Sequence, residues 1–172
     1  MYRIVKTVML LSLACLLFPR EASAQRVSVS TDLLEFASLS PNVSVQFTPG
    51  RHSTFAVGVT GSPWRVSPGV YYRHLGVVAE YRHWLGISMS GHSVSARLRY
   101  SSFDLCLGGD SSRRMGDSVS AVAVYGWSKV LSRRINLRPH AGAGVGYAFC
   151  RTGRGGLYPV VDVGLDLEII LK

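Results

Sequence analysis

The chain has 172 residues, of which 47% are hydrophobic and 17% charged, and it contains 18 glycines. This length fits one ordinary domain. The hydrophobic content excludes a disordered chain, the glycines lack the three-residue period of collagen, and Lys and Glu are too scarce for a coiled coil. The net charge is +9, from 19 Lys and Arg against 10 Asp and Glu, and nearly all the cations are arginine.

The first 24 residues have the organisation of an export signal. Two basic residues precede an uncharged apolar run over 7–18, and a small-residue A-S-A site ends at Ala24. Because the run is shorter than the ~20 residues that span a bilayer, this pattern predicts a secretory signal peptide over 1–24. A lipoprotein signal acylated at Cys15 is the alternative. Cleavage removes 24 of 172 residues, with three cations and one anion, and leaves one domain over 25–172 with 148 residues and a charge of +7.

Apolar and polar residues alternate with a period of two through most of the mature chain. Near the end, for example, Val161 and Val163 lie on one face while Asp162 and Gly164 lie on the other. Such alternation predicts strands with one apolar face. No later segment is apolar for 18 consecutive residues, so no transmembrane helix is expected after the signal. Eight strands are predicted, at about 26–34, 42–48, 53–61, 76–84, 92–103, 118–128, 134–149 and 158–171.

The predicted connections alternate in length. Compact turns at 48–52, 85–91 and 128–133 alternate with longer loops at 61–75 and 104–117, which are rich in Gly, Ser and Arg. Short turns at one end and long loops at the other are typical of outer-membrane barrels, and an even strand number closes the meander. The sequence therefore predicts an all-β fold, an eight-stranded antiparallel up-and-down transmembrane β-barrel.

Which face points outward separates two barrels. A soluble periplasmic β-barrel or sandwich that binds a small ligand buries its apolar face, whereas a membrane barrel exposes that face to lipid. The polar face includes Gly142, Gly144 and Gly146, whose small size suits a narrow interior crossed by long charged side chains. This favours the membrane barrel, with the soluble barrel as the alternative. Aromatic residues near strand ends predict two interfacial girdles, formed by Phe47, Phe55, Tyr125 and Trp127 at the short turns and by Tyr147, Phe149 and Tyr158 at a long loop.

Several short motifs point to a known family. They are T-D-L-L at 31–34, S-P-N-V-S-V at 40–45, E-Y-R-H-W-L-G at 80–86, the segment 126–137 and the glycine-rich 141–147. This set resembles domain-of-unknown-function family 3575 of the Bacteroidota. The resemblance implies an outer-membrane-like barrel, in some cases associated with fimbrial gene clusters, and no established activity. The chain ends I-I-L-K, without the aromatic residue that commonly ends outer-membrane strands.

Charged side chains on the polar faces are expected to form ion pairs that fill the interior, because a buried charge is tolerable only when it is paired. Eight strands leave no room for a porin-like channel. The functional alternative to structural ion pairs is that these charged side chains form a path for protons or ions. The residues assigned to these interior ion pairs are Arg97, Arg99, Arg138, His140, Asp162, Asp166 and Glu168.

The register of the last hairpin predicts the partners. If residues whose numbers sum to about 306 face each other, Arg138 lies opposite Glu168 and His140 lies opposite Asp166. The two arginines of the fifth strand are expected to reach the last-strand aspartates across the lumen. Pro139 has no N–H for the ladder and predicts a bulge or an irregular strand start.

No catalytic or metal-binding arrangement is recognised. His92 and Ser93 are adjacent and so point to opposite faces of a strand, and His140 with Asp166 has no serine aimed at it. The cysteines and histidines lack metal-site spacing, and no cofactor motif is present. The sequence therefore predicts a non-enzymatic outer-membrane barrel with a structural or interaction role, for example in surface or fimbrial assembly. A lipid A-modifying enzyme is a further alternative.

Arginines concentrate on the predicted long loops. The guanidinium fork suits phosphate and carboxylate, and the outer leaflet carries lipopolysaccharide phosphates. Outer-membrane lipid and a surface protein are the expected partners, and nucleic acid is excluded because no binding motif is present. A merely solvated basic rim is the alternative to a polyanion site. The arginines assigned to this site are Arg65, Arg73, Arg113, Arg114, Arg151 and Arg154.

Two cysteines remain after signal cleavage. Cys106 and Cys150 end two strands at the same rim, with one strand between them, so their parent strands lie roughly 10 Å apart. A disulfide needs Cα atoms within about 7 Å, which loop curvature would have to supply. The sequence predicts this disulfide, with two reduced thiols as the alternative.

Overall fold

The computed structural model describes residues 26–63, 65–67, 70–107, 113–151 and 154–171, without the side chains of 65–67 and 107. The predicted signal peptide over 1–24 and Cys15 lie outside these residues. The described chain forms nine strands and one short helix. They are β1 (Arg26–Asp32), α1 (Leu33–Ala37), β2 (Asn42–Thr48), β3 (Ser53–Ser62), β4 (Arg65–Ser67), β5 (Val70–Trp84), β6 (Gly91–Leu107), β7 (Arg114–Val130), β8 (Ile135–Cys150) and β9 (Gly156–Ile170).

The strands form a closed antiparallel sheet in up-and-down order. β1 pairs with β9, with Val29 opposite Ile169, and this pairing closes the ring. β3 and β4 occupy one position, because both pair with β5. The barrel therefore has eight strand positions and no open edge. The predicted eight-stranded antiparallel barrel is confirmed.

The barrel has two unlike ends. The turn end carries the three compact turns, β2–β3, β5–β6 and β7–β8, together with the start of β1 and the end of β9. The loop end carries α1 and the connections β4–β5, β6–β7 and β8–β9. No helix in the described residues is long and apolar enough to cross a membrane.

Three strands extend farther toward the loop end than the sequence predicts. β5 begins at Val70, β6 ends at Leu107 and β7 begins at Arg114. Their Gly, Ser and Arg residues indicated loops, but each strand finds a neighbour whose ladder continues, as where Tyr71 faces Cys106. Cross-strand pairing therefore outweighs local propensity here.

The helix α1 replaces the predicted end of the first strand. The Asp32 carboxylate accepts hydrogen bonds from the N–H groups of Leu34 (2.9 Å) and Glu35 (3.3 Å). This is N-cap geometry, which starts a helix in place of an extended strand. The first strand therefore ends at Asp32, two residues before the approximate end predicted from the sequence.

The interior of the barrel is polar and the exterior is apolar. Among the described residues, 24 polar or charged residues are buried but only six hydrophobic ones are. On the outer wall Val57 is 65% exposed and Val161 is 78% exposed. A soluble barrel has the opposite arrangement, so the face assignment inferred from the interior glycines is correct. Gly126 shows why glycine suits this interior, since a Cβ there would lie 2.6 Å from Nε of Arg138.

The aromatic residues predicted to form two girdles lie at both ends of the outer wall, except for one of them. Phe55 packs against Tyr81 at the turn end with ring centroids 5.2 Å apart, and Tyr147 packs against Phe149 at the loop end at 4.7 Å. Tyr158 lies opposite Gly146 on the lumen-facing side of β9, where its ring occupies the space that a side chain on Gly146 would need. Its assignment to the outer girdle is therefore wrong.

Pro139 interrupts one ladder without shifting it. Gly126 faces His140 on one side of the gap and Lys129 faces Leu137 on the other, in the same register. On the β9 side Pro139 faces Leu165 in regular register. The missing N–H therefore removes pairing to β7 near the start of β8 and produces no bulge. Of the two expectations, the bulge is wrong, whereas the irregular strand start agrees with this gap.

Candidate functional sites in the lumen and at the loop end

The centre of the lumen is an ion-pair hub around one carboxylate. Glu80 lies 3.0 Å from Nε of Arg82, 2.8 Å from Nη2 of Arg97 and 3.4 Å from Nη2 of Arg138. These residues sit on β5, β6 and β8, so one side chain ties three strands across the interior. All four are buried.

Each hub arginine also reaches a different acid on β9. Arg82 Nη1 lies 2.7 Å from Glu168, Arg97 Nη1 lies 2.7 Å from Asp162, and Arg138 Nη1 lies 2.8 Å from Asp166. Since each guanidinium bridges Glu80 to a separate carboxylate, the network closes around the barrel. Buried charges arranged in this way satisfy most of one another's hydrogen-bonding capacity, although Nε of Arg138 and Oε2 of Glu168 have no hydrogen-bond partner.

The register of the last hairpin differs by two residues from the prediction. Arg138 faces Asp166, not Glu168, and His140 faces Gly164, not Asp166. The β8–β9 pairs sum to 304 instead of 306, because the hairpin is centred one residue earlier. An even shift keeps every side chain on its face, and His140 Nδ1 still lies 3.4 Å from Asp166.

Arg99 pairs outside the predicted set. Its Nη2 lies 2.6 Å from Glu35 of α1, so of the two β6 arginines only Arg97 reaches a β9 aspartate. Sequence reasoning missed Glu35, Glu80 and Arg82 as interior charges. For the β5 pair a signal existed, since Glu80 and Arg82 alternate with Tyr81 and His83 on a predicted strand.

Both ends of the lumen are covered. At the turn end Trp84 is completely buried and donates through Nε1 to Thr54 (2.9 Å), and Asn136 donates to the carbonyl of Met89 (2.8 Å) in the inward-folded β5–β6 turn. At the loop end α1 directs the side chain of Glu35 toward the interior, where it pairs with Arg99. Between them lies a cavity of about 40 Å³, enough for a few waters. The lumen is filled, as expected for eight strands.

No histidine in the described residues hydrogen bonds to a serine. His92 contacts the Tyr125 hydroxyl at 2.6 Å, His52 contacts the Trp84 carbonyl at 3.2 Å, and His140 contacts Arg97 at 3.3 Å. A hydrolytic triad needs a serine or another nucleophile in one of these places.

One cluster has donor atoms of metal-ligand type. Single ligand atoms of Asp32, His140 and Asp166 lie within 4.8 Å of one another. One oxygen of each carboxylate already has a donor, however, since Oδ2 of Asp166 accepts from Arg138 at 2.8 Å and Oδ1 of Asp32 accepts from the Leu165 N–H at 3.1 Å. Ion pairing and helix capping account for this arrangement.

The loop-end arginines do not all have the same surroundings. Arg113 forms a two-point pair with Asp104 (3.0 and 2.9 Å), and Arg151 lies 3.2 Å from Asp117. The side chain of Arg65 lies outside the described part, and Arg114 and Arg154 are exposed. Arg73 is half-buried, and its Nε has no hydrogen-bond acceptor.

The structure does not contain the predicted Cys106–Cys150 disulfide. On the intervening strand β7, Gly116 faces Cys150, whereas the level of Cys106 falls three residues away, beyond the Leu105–Arg114 pair. The two cysteines are therefore separated by about 10 Å along the strand direction as well as by about 10 Å across the sheet. Loop curvature does not close that separation, because both cysteines belong to regular strands.

Comparison with protein families agrees with this architecture. The family described as "Protein of unknown function (DUF3575)" matches residues 7–163. The chain belongs to the DUF3575 family. No curated protein matches the chain. Among solved structures, the crystal structure of Neisserial surface protein A (NspA) is similar with a TM-score of 0.53 and 17% identity, over 84% of this chain and 94% of that one. At this identity the likeness shows the barrel fold.

One sequence motif that carries the DUF3575 resemblance contains part of the hub. Residues 80–86 begin with Glu80 and Arg82, which organise the lumen, and include Trp84, which closes its turn end. The alternate residues Tyr81 and His83 face outward. In this chain the motif therefore encodes the filling of the barrel.

Proposed function

We propose that this DUF3575 protein is a small outer-membrane β-barrel with a non-catalytic, structural or interaction role at the cell surface. The inverted distribution of polarity carries the proposal. Burying apolar surface is worth about 25 cal/mol per Å², so an exposed apolar wall around the whole barrel calls for lipid around it. Aromatic pairs at both ends lie where two membrane interfaces would be.

The filled lumen supports a role without transport or small-ligand binding. A cavity of about 40 Å³ is far smaller than the ~300 Å³ of ordinary ligand pockets. This counts against the soluble ligand-binding barrel, as does the apolar wall. The contacts of the histidines likewise give no support to a lipid A-modifying enzyme.

The loop end is the part that such a barrel presents outward. In the described part it carries the exposed Arg114 and Arg154, together with Arg73, whose Nε has no acceptor, and the similar NspA barrel is by its name a surface protein. We propose that this rim contacts outer-membrane lipid, including lipopolysaccharide phosphates, and offers a surface for a protein partner in surface or fimbrial assembly. Arginine forks bind phosphate in two-point geometry, which suits such contacts.

Membrane fractionation tests the proposal. Expressed with its own N-terminus, the full chain should stay with outer membranes after carbonate washing and should migrate differently in gels before and after boiling. Recovery as a detergent-free soluble monomer would overturn the proposal. For the surface role, trypsin added to intact cells should cleave after the loop-end Arg114 and Arg154 and spare Lys129 and Arg133 at the turn end; the reverse pattern would contradict it.

A further inference from the structure

The outer wall is interrupted near the loop end by an apolar groove of about 780 Å³. Its floor lies at Gly61, where the lack of a side chain leaves a depression between Val43, Val59 and Leu75. Its lining is predominantly apolar, and it is an open surface depression, not an enclosed pocket. The groove opens toward the surroundings of the barrel, not toward the lumen.

Arg73 stands at the loop-end border of this groove. From the turn end, the outward face of β5 passes Tyr81, Ala79, Val77 and Leu75 before it reaches Arg73. The guanidinium therefore follows directly on the apolar band, at the level of lipid headgroups. Its stem lies beside the groove, as expected for a side chain that keeps its charge at an interface.

Arg73 forms no salt bridge with any residue in the described part of the chain, although Asp104 also lines the groove. Its cross-strand neighbour is Asp104, but that carboxylate accepts two hydrogen bonds from Arg113. Arg73 lies over the Tyr71 ring at 5.4 Å, and its buried Nε has no acceptor. A guanidinium so placed offers hydrogen-bond donors to an incoming anion.

We propose that this groove binds a phosphate-bearing membrane lipid, with an acyl chain along Val43, Val59 and Leu75 and the phosphate on Arg73. The inference rests on the proposed membrane insertion and adds a specific site to it. The apolar groove lies nearer the middle of the barrel and the Arg73 cation nearer the loop end, and the acyl chain and phosphate of a membrane lipid follow one another in the same order. The paired Arg113 contributes little, since its fork is already engaged.

Native mass spectrometry of the detergent-solubilised full chain tests the site with three probes. Phosphatidylglycerol has both chemical parts, diacylglycerol has only the chains, and inorganic phosphate has only the anion. We expect phosphatidylglycerol to bind about tenfold more strongly than diacylglycerol, and Arg73→Gln to remove most of this difference. Gly61→Leu should weaken both lipids, because the side chain fills the groove; its Cβ lies 3.3 Å from the His74 carbonyl, which must shift by a few tenths of an ångström, so the heat-dependent gel shift is measured for this variant as well.

Two matched variants at the turn end are the controls. Arg133→Gln removes an exposed charge, and Gly86→Leu adds a side chain where a Cβ would meet nothing within 4 Å. Both should bind lipid like the unmodified chain. Unchanged phosphatidylglycerol binding in Arg73→Gln, or full competition by inorganic phosphate with no contribution from Gly61, would overturn the site.

A parallel gel assay separates the two proposals. If all variants retain the heat-dependent gel shift and membrane location but bind phosphatidylglycerol alike, the lipid site is wrong and the membrane barrel stands. If the unmodified chain is soluble without detergent, the membrane barrel fails, and this site fails with it.

Discussion

The two faces of the same strands hold opposite chemistry. On β5, Glu80 and Arg82 point inward and are 7% and 2% exposed, whereas Tyr81 between them points outward and is 43% exposed. The inward face is held by directed ion pairs that depend on exact partners, and the outward face by apolar contact with its surroundings. Alternation shows that a strand has two faces; the closed charge network shows which of them is the interior.

The largest effect is expected from breaking the hub. Arg82→Met leaves Glu80 with two arginines and Glu168 with none of its ion-pair partners, which should lower the free energy of unfolding by about 3–5 kcal/mol. Urea unfolding of the full chain in lipid vesicles, followed by Trp fluorescence, measures this. Arg134→Met at the exposed turn end is the control and should change stability by less than about 0.5 kcal/mol. A loss below about 1 kcal/mol for Arg82→Met would show that the hub does not hold the barrel.

The next effect tests the outer face. Val57 lies in the middle of β3 and faces outward, so Val57→Arg should cost about 2–4 kcal/mol if lipid surrounds it. Leu85→Arg, at the turn end, should cost only about 0–1 kcal/mol. Unfolding in vesicles of both variants gives the comparison. Equal, small losses would mean that water, not lipid, contacts the wall.

A smaller effect is expected from adding one carbon to the interior. Gly126→Ala places a Cβ 2.6 Å from Nε of Arg138, so the buried guanidinium that pairs with Asp166 and Glu80 must shift. We expect a loss of about 1–3 kcal/mol, typical of overpacking. Gly86→Ala meets no atom within 4 Å and should be neutral. If both variants unfold alike, the interior is looser than the structure shows.

The smallest effect is expected at the rim. Arg113→Gln removes the Asp104 pair, whose arginine side chain is 42% exposed, and such surface pairs contribute about 0–1 kcal/mol. The unfolding midpoint should therefore barely move and should depend little on salt. A loss as large as that of Arg82→Met would remove the contrast between rim and lumen.

Parts of the lumen could be predicted and parts could not. Arg97 and Arg138 were placed on the interior face from alternation alone, which depends only on the parity of a residue within its strand. Their partners were less accessible, because a one-residue difference in the centre of the last hairpin moves every β8–β9 pair by two. Glu35 was missed, since its position depends on the helix that Asp32 caps.

The prediction of a disulfide between Cys106 and Cys150 was wrong for a related reason. Counting strands placed Cys106 and Cys150 at the same end, two strands apart, but counting cannot give their offset along the barrel. That offset arises from the registers of β6–β7 and β7–β8 together. The extension of these strands into predicted loops removed the curvature on which the prediction depended.

The sequence by itself determined the strand number, the antiparallel meander and the faces of most side chains, because these follow from a local period of two and from turn composition. Tertiary structure alone decided that three arginines share Glu80, that α1 brings Glu35 to Arg99, and that Gly61 opens a groove beside Arg73. Each of these depends on distances across or around the closed ring. Because the ring is closed, these distances depend on the registers of all the strand pairs together, and no local sequence pattern encodes the combined registers.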